Sequence, residues 1–172
     1  RLYQTGLAVA KSGNIMRWLI ESDNKQYIGI NIGGVWQYGK PSNTALTLNV
    51  WNHMVFVYDG SKFIFFLNGN SDGSYSASGA LETNSSSLLI GKYTAASPQL
   101  WNGLIDDVRI YNYARTPDEI RLDYNAGFAA KFGPSADCNL NPGACMTKGL
   151  VGYWNMDEGT GQTTYDGSGN AN

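Results

Sequence analysis

The sequence predicts an all-β protein, a sandwich or barrel of short strands. Short apolar or alternating runs follow one another with turn signals between them, and nothing before residue 115 reads as a helix. The chain also holds 21 glycines and 13% aromatic residues but only 15% charged residues, the usage of a strand-rich fold. At 172 residues it is long enough for one sizeable core, burying roughly 70% of its unfolded surface.

Strands are expected at Gly6 to Lys11, Ile15 to Ser22, Gln26 to Ile32, Val35 to Tyr38, Ala45 to Leu48, Trp51 to Tyr58, Lys62 to Leu67, Ser74 to Ser78, Ser87 to Gly91 and Leu104 to Tyr111. The firmest hairpin is "WNHMVFVYDGSKFIFFLNGN", in which Asp59-Gly60 and Asn68-Gly69 supply residues that tolerate positive φ between apolar runs. "SYSASG" alternates Ser74, Ser76 and Ser78 with Tyr75 and Ala77, as a strand wet on one face should. Trp51 to Tyr58 and Phe63 to Leu67 are apolar at both parities, although a sandwich buries one face of each sheet. A loop, the C-terminal helix, a sugar or a neighbouring domain must therefore cover the other face.

One helix is expected, in "RTPDEIRLDYNAG": Thr116 caps it, Pro117 fits its first position, Glu119 closes a capping box, and Asn125 to Gly127 ends it. Ile120, Leu122 and Tyr124 offer its apolar contacts. Residues 129–148 have linker composition, and a fresh strand, Leu150 to Met156, follows them. Cys138 and Cys145 fall in that linker and can build neither a four-ligand zinc site nor a C-x-x-C redox pair. A small disulfide loop contributing about 2.5 kcal/mol, which implies an oxidising compartment, stands against two free thiols in a flexible linker.

A formal charge of −2 with no Lys/Arg cluster excludes a nucleic-acid partner. The apolar runs are far too short to insert into a membrane. No signal peptide opens the chain, which reads as a mature or excised piece.

The series "WNHMVFVYDGSKFIFFLNG", "SLLIGKY" and "WNGLIDDVRIYNYARTPDEI" resembles the second half of a laminin-G-like domain of the concanavalin A-like lectin/glucanase superfamily. "GLVGYWNMDEGTGQTTYDGSGNAN" resembles that family's opening strand and loop. The resemblance implies a two-sheet antiparallel jelly-roll sandwich with one short C-terminal helix. It also implies an unusual order, because the opening strand here follows the closing one. The expected organisation is a jelly roll over 1–128, a linker over 129–148, and an opening strand over 149–172. That strand completes this domain, belongs to the next repeat of an array, or is donated to a neighbouring copy.

The resemblance raises hydrolysis, which needs two carboxylates about 5 to 10 Å apart. Glu21-Ser22-Asp23 reads instead as a charged hairpin tip lacking a further acid, Asp157-Glu158 lies at a strand end, no Ser or Cys can be singled out as a nucleophile beside His53, and no second histidine exists for a metal pair, so no catalysis is expected. The resemblance also implies a structural calcium near the closing strand, with Asp106 as ligand and Asp157 or Asp166 adding oxygens. The alternative for the Asp106-Asp107 pair is to cap backbone N–H groups or to pair with Arg109 or Arg17.

Sugar binding uses aromatic faces beside polar hydrogen-bonders. Trp36 and Tyr38 share one parity around Gln37, and Tyr93, Trp101 and Asn102 lie on loops; the alternative is that both rings of the 36/38 pair are core. The expected function is an extracellular or cell-surface lectin-like module binding a glycan or a surface protein. The second expectation is a structural repeat or filament subunit assembled with neighbouring copies through the 149–172 tail.

Overall fold

The mirror-image turn that the sequence signals at Asn68-Gly69 fixes one hairpin in the computed structural model, which describes residues 6–11, 13–93, 100–126, 149–158 and 164–170. Asn68 and Gly69 take φ of 50° and 77° between β6 (Lys62–Leu67) and β7 (Asn70–Ser76), the twist that joins adjacent antiparallel strands. Gly33 and Gly34, at 58° and 80°, do the same between β3 (Gln26–Ile32) and β4 (Val35–Pro41). The described residues form two units, 1–104 and 105–172.

In the first unit β1 (Gly6–Lys11), β2 (Met16–Ile20), β3, β4 and β8 (Leu88–Ile90) make an antiparallel sheet in the order β4-β3-β2-β1-β8. A second sheet holds β5 (Met54–Tyr58), β6 and β7. Ile28, Ile30 and Ile32 of the first sheet pack on Phe63 and Phe65 of the second, with Met16, Trp18, Phe56, Tyr58 and Tyr75 around them. Their rings interlock, Phe56 standing 5.9 Å from both Phe63 and Phe65. Two apolar layers thus close over one core, as the all-β expectation requires.

The apolar residues of opposite parity are buried too, with Val57 at 6% and Phe66 at 1% exposure. Between the sheets runs a polar tie: the side-chain amide of Gln26, fully buried on β3, donates to the Phe66 carbonyl on β6 at 3.1 Å. Ser42 N–H donates to Gln26 O, and Gln26 N–H to Ser42 Oγ.

In the second unit β9 (Val108–Tyr111) pairs antiparallel with β10 (Leu150–Trp154), placing Trp154 opposite Val108. The helix α1 (Pro117–Ala126) starts at the expected box: Thr116 N–H donates to Glu119 Oε2 at 2.8 Å and Glu119 N–H to Thr116 Oγ1 at 3.3 Å. Ile120 is buried, whereas Leu122 is exposed, so it is not the apolar contact expected of it.

Three expected strand segments are not strands. Residues 45–48 are loop and turn, because Asn49 sits at φ 63° and Asn52 Nδ2 donates to the Thr47 and Val50 carbonyls, local bonds that compete with a ladder. Residues 51–53 precede β5, leaving Trp51 exposed. Residues 104–107 precede β9, because Asp107 takes φ 51°. Asp106 and Asp107 therefore do not lie within a strand at all. Cys138, Cys145 and the linker around them lie outside the described residues. No helix among the described residues is long and apolar enough to cross a membrane.

Candidate functional site

Arg17 stands at the centre of the five-stranded sheet, on the face turned away from the isoleucine core. The ladders align one row across that face: Leu89 pairs Ala10, Ala10 pairs Arg17, and Arg17 pairs Gly29. Ala10 and Gly29 carry almost no side chain, so the row has a floor on both sides of the guanidinium. On β4 the register slips: Ile30 faces Gln37 while Ile28 faces Lys40, leaving Tyr38 and Gly39 both opposite Gly29. The bulge, with Gly39 at φ 90°, re-aims the side chains around it.

Aromatic rings occupy the space so cleared. The Cζ of Arg17 lies 4.9 Å from the ring centroid of Trp36, 5.2 Å from Tyr93 and 5.6 Å from Tyr38. Such distances bring the ring quadrupoles to bear on the cation. Trp36 and Tyr93 are half-buried, and Tyr38 is 46% exposed. The expected pair, Trp36 and Tyr38, is therefore a surface platform and not part of the core, and Tyr93 joins it. Below Tyr93, a small second cluster of Ala10, Leu19, Tyr27 and Leu89 anchors the face.

The neighbouring acids are committed to phenols. Tyr38 donates its hydroxyl proton to Glu21 Oε1 at 2.5 Å, and Tyr27 donates to Asp23 Oδ2 at 3.1 Å. Burial and that bond to Glu21 push the Tyr38 phenol up to about 12, and burial followed by the Asp23 bond raises Tyr27. The ion pairs of the described residues are Asp107–Arg109, Asp123–Arg115 and Asp118–Arg121, so no described carboxylate pairs with Arg17. Arg17 Nε and Asn31 Oδ1, both from residues of this face, are buried without a hydrogen-bond partner among the described residues.

Trp101 and Asn102 are not among the rings around Arg17. Trp101 turns its indole N–H to the Leu104 carbonyl at 3.2 Å, its backbone N–H bonds Gly91 O, and Asn102 is exposed. His53 exchanges backbone-level bonds with Asn68, its N–H to Asn68 Oδ1 and its carbonyl to Asn68 N–H, which closes the mouth of the β5–β6 hairpin. Arg17 is the site residue that sequence reasoning missed. Its signal was one charge inside "MRWLI", a strand otherwise apolar at both parities.

The acids expected to hold calcium each serve nearby groups. Asp106 Oδ1 accepts the Asp107 N–H, Asp157 Oδ2 accepts the Asn155 amide, and Asp166 Oδ1 accepts the N–H groups of Tyr153 and Ser168. Asp107 accepts the Tyr153 hydroxyl at 2.8 Å and lies 3.5 Å from Arg109. Among the described residues no three of His, Cys, Asp and Glu gather in one place.

A profile of the laminin G type, of the concanavalin A-like lectin/glucanases superfamily, matches residues 2–121. The chain belongs to that superfamily. Among solved structures, a proposed carbohydrate-binding protein from Bacteroides ovatus is similar to this concanavalin A-like chain with a TM-score of 0.69 at 18% identity, covering 99% of this chain and 47% of that one. A heptameric SAP-like pentraxin from Limulus polyphemus is similar at TM-score 0.52 and 18% identity, over 69% of this chain and 62% of that one. An S-layer domain-containing protein from Clostridium thermocellum is 26% identical over 72% of this chain and 65% of that one, at TM-score 0.41. At 18% identity the first two bear on the fold alone. The concanavalin A-like chain spans about half the length of the Bacteroides protein. No curated protein matches it.

Proposed function

We propose that this chain is a non-catalytic carbohydrate-binding module of an extracellular or cell-surface protein, and that it binds through the face centred on Arg17. The observation that carries this reading is the convergence of Trp36, Tyr38 and Tyr93 on one half-buried face. Aromatic faces stack on the C–H surface of a sugar ring, and the half-exposed phenol of Tyr38 offers polar contact beside them. Superfamily membership, and the binding role ascribed to the Bacteroides protein, support the same reading. Glu21 and Asp23, each tied to a different tyrosine, argue against a hydrolytic acid pair here.

Retention on a glycan array tests it. Trp36→Ala and Tyr93→Ala should each abolish binding to the glycans the unaltered chain retains, while Trp101→Ala should keep it. Equal retention by all three variants removes this face from the function.

A second reading rests on the β9–β10 ladder. A two-stranded ladder is marginal by itself, and β10 of one copy fits β9 of another as well as its own. Adhesion or filament growth through exchanged tails then follows. Light scattering across a concentration series separates the readings, since exchange gives multimers that vanish when residues 148–172 are deleted.

A further inference from the structure

The geometry points to a carboxylate-bearing sugar, a uronic acid or its like, as the preferred ligand of this face, with Arg17 as the group that reads the acid. This rests on the carbohydrate-binding reading above and names its substrate class.

Arg17 is a cation removed from much of its water without a counter-charge. It is half-buried, its Nε has no hydrogen-bond partner among the described residues, and none of their carboxylates pairs with it. Leaving an ion in that condition is costly, and the three rings offset only part of the cost. The two acids of the adjoining hairpin bind phenols instead. Aromatic rings offer the guanidinium no counter-charge and no lone-pair acceptor, and its planar fork matches a carboxylate bidentately. A sugar stacked on Trp36 or Tyr93 would bring a ring carboxylate to that fork. A neutral sugar offers it only hydroxyl oxygens, which accept its N–H bonds but bring no counter-charge. Lysine would not serve equally, because a point charge lacks the fork.

Glu21 makes the proposal sharper. Held 2.5 Å from the Tyr38 hydroxyl, it places a negative charge beside the acid's seat. Glu21→Gln should therefore raise the ratio of acidic to neutral binding, whatever its effect through Tyr38 on both.

The test is an affinity panel of glucuronate, galacturonate, mannuronate and sialylated oligosaccharides, each paired with its carboxyl-reduced neutral counterpart. The unaltered chain should retain at least one acidic member about tenfold more strongly than its neutral twin, the scale of one charge-assisted bond. Arg17→Gln should collapse that preference to near parity, and Glu21→Gln should widen it. Should Arg17→Gln fail to fold, as circular dichroism would show, the Glu21→Gln arm decides alone. Equal retention of acidic and neutral twins, with loss of both in Trp36→Ala, overturns the acid preference and leaves the carbohydrate reading standing. Retention of no member by the unaltered chain overturns both.

Discussion

Gly29 lies directly beneath Trp36: a Cβ at position 29 would stand 2.4 Å from Trp36 Cζ2 and 3.1 Å from Tyr38 Cδ2. Two of the platform's three rings, Trp36 and Tyr38, rest on one missing side chain. The backbone at Gly29 needs no positive φ, so Gly29→Ala acts through contact alone, lifting the rings from the sheet. We expect glycan retention to fall at least about tenfold while unfolding costs about 1–3 kcal/mol, the range for overpacking. Parallel melting and array measurements check this, and full retention would show that the rings' seating is immaterial.

Gln26 ties the two sheets by one amide bond to the Phe66 carbonyl. Gln26→Leu keeps much of the volume but strips that acceptor of its donor inside the core. The expected loss is about 1–3 kcal/mol, the cost of an unsatisfied buried group. Urea unfolding measures it, and an unchanged midpoint would mean the tie contributes nothing.

In the second unit, Arg115 and Asp123 form a 2.6 Å ion pair with side chains only 5% and 8% exposed, and Arg115 also lies 4.2 Å from the centroid of Tyr111. Asp123→Ala leaves the buried guanidinium bonded to the Tyr113 hydroxyl and the Glu119 carbonyl but without its counter-charge, and should destabilise the unit by about 3–5 kcal/mol, whereas replacing both partners by Met and Leu should recover much of that. Hydrogen exchange of the α1 amides reports the effect locally.

Alkaline pH should loosen the Arg17 face. The Tyr38 phenol ionises near 12 in the folded chain and near about 10 when unfolded. The folded state thus holds this proton more tightly, so the contribution is fully present below about pH 10 and is lost as pH rises toward about 12. Tyr38→Phe should remove that part of the loss and delete one late-ionising phenol from the ultraviolet titration near 295 nm. A difference titration centred at an ordinary tyrosine value would contradict the Tyr38–Glu21 contact.

Much of the fold was legible because local chemistry agreed with the tertiary result. Gln26 to Ile32 and Lys62 to Leu67 are strands end to end, and the Thr116–Glu119 box starts the helix as its residue types dictate. Boundaries failed where a polar side chain or a left-handed residue overrode the apolar pattern, at Asn52 and at Asp107. Trp36 and Tyr38 could be named from parity. That they face away from the core could not, because apolar residues at both parities hide which side the second sheet covers. Arg17 was out of reach because its meaning lies in neighbours across the ladder, Ala10 and Gly29, and in Tyr93 from β8's far end. Sequence spacing carries no record of that row.

The central claim is that ligand seats on the Arg17 face. Heteronuclear NMR with a glycan retained on the array tests it most directly, by following side-chain and backbone N–H signals during titration. The account predicts that the Arg17 Nε–H, the Trp36 indole N–H and the Gly29 amide shift together and saturate at one affinity. Shifts confined to Trp101, Trp51 or the β9–β10 ladder, with those three signals unmoved, would contradict it.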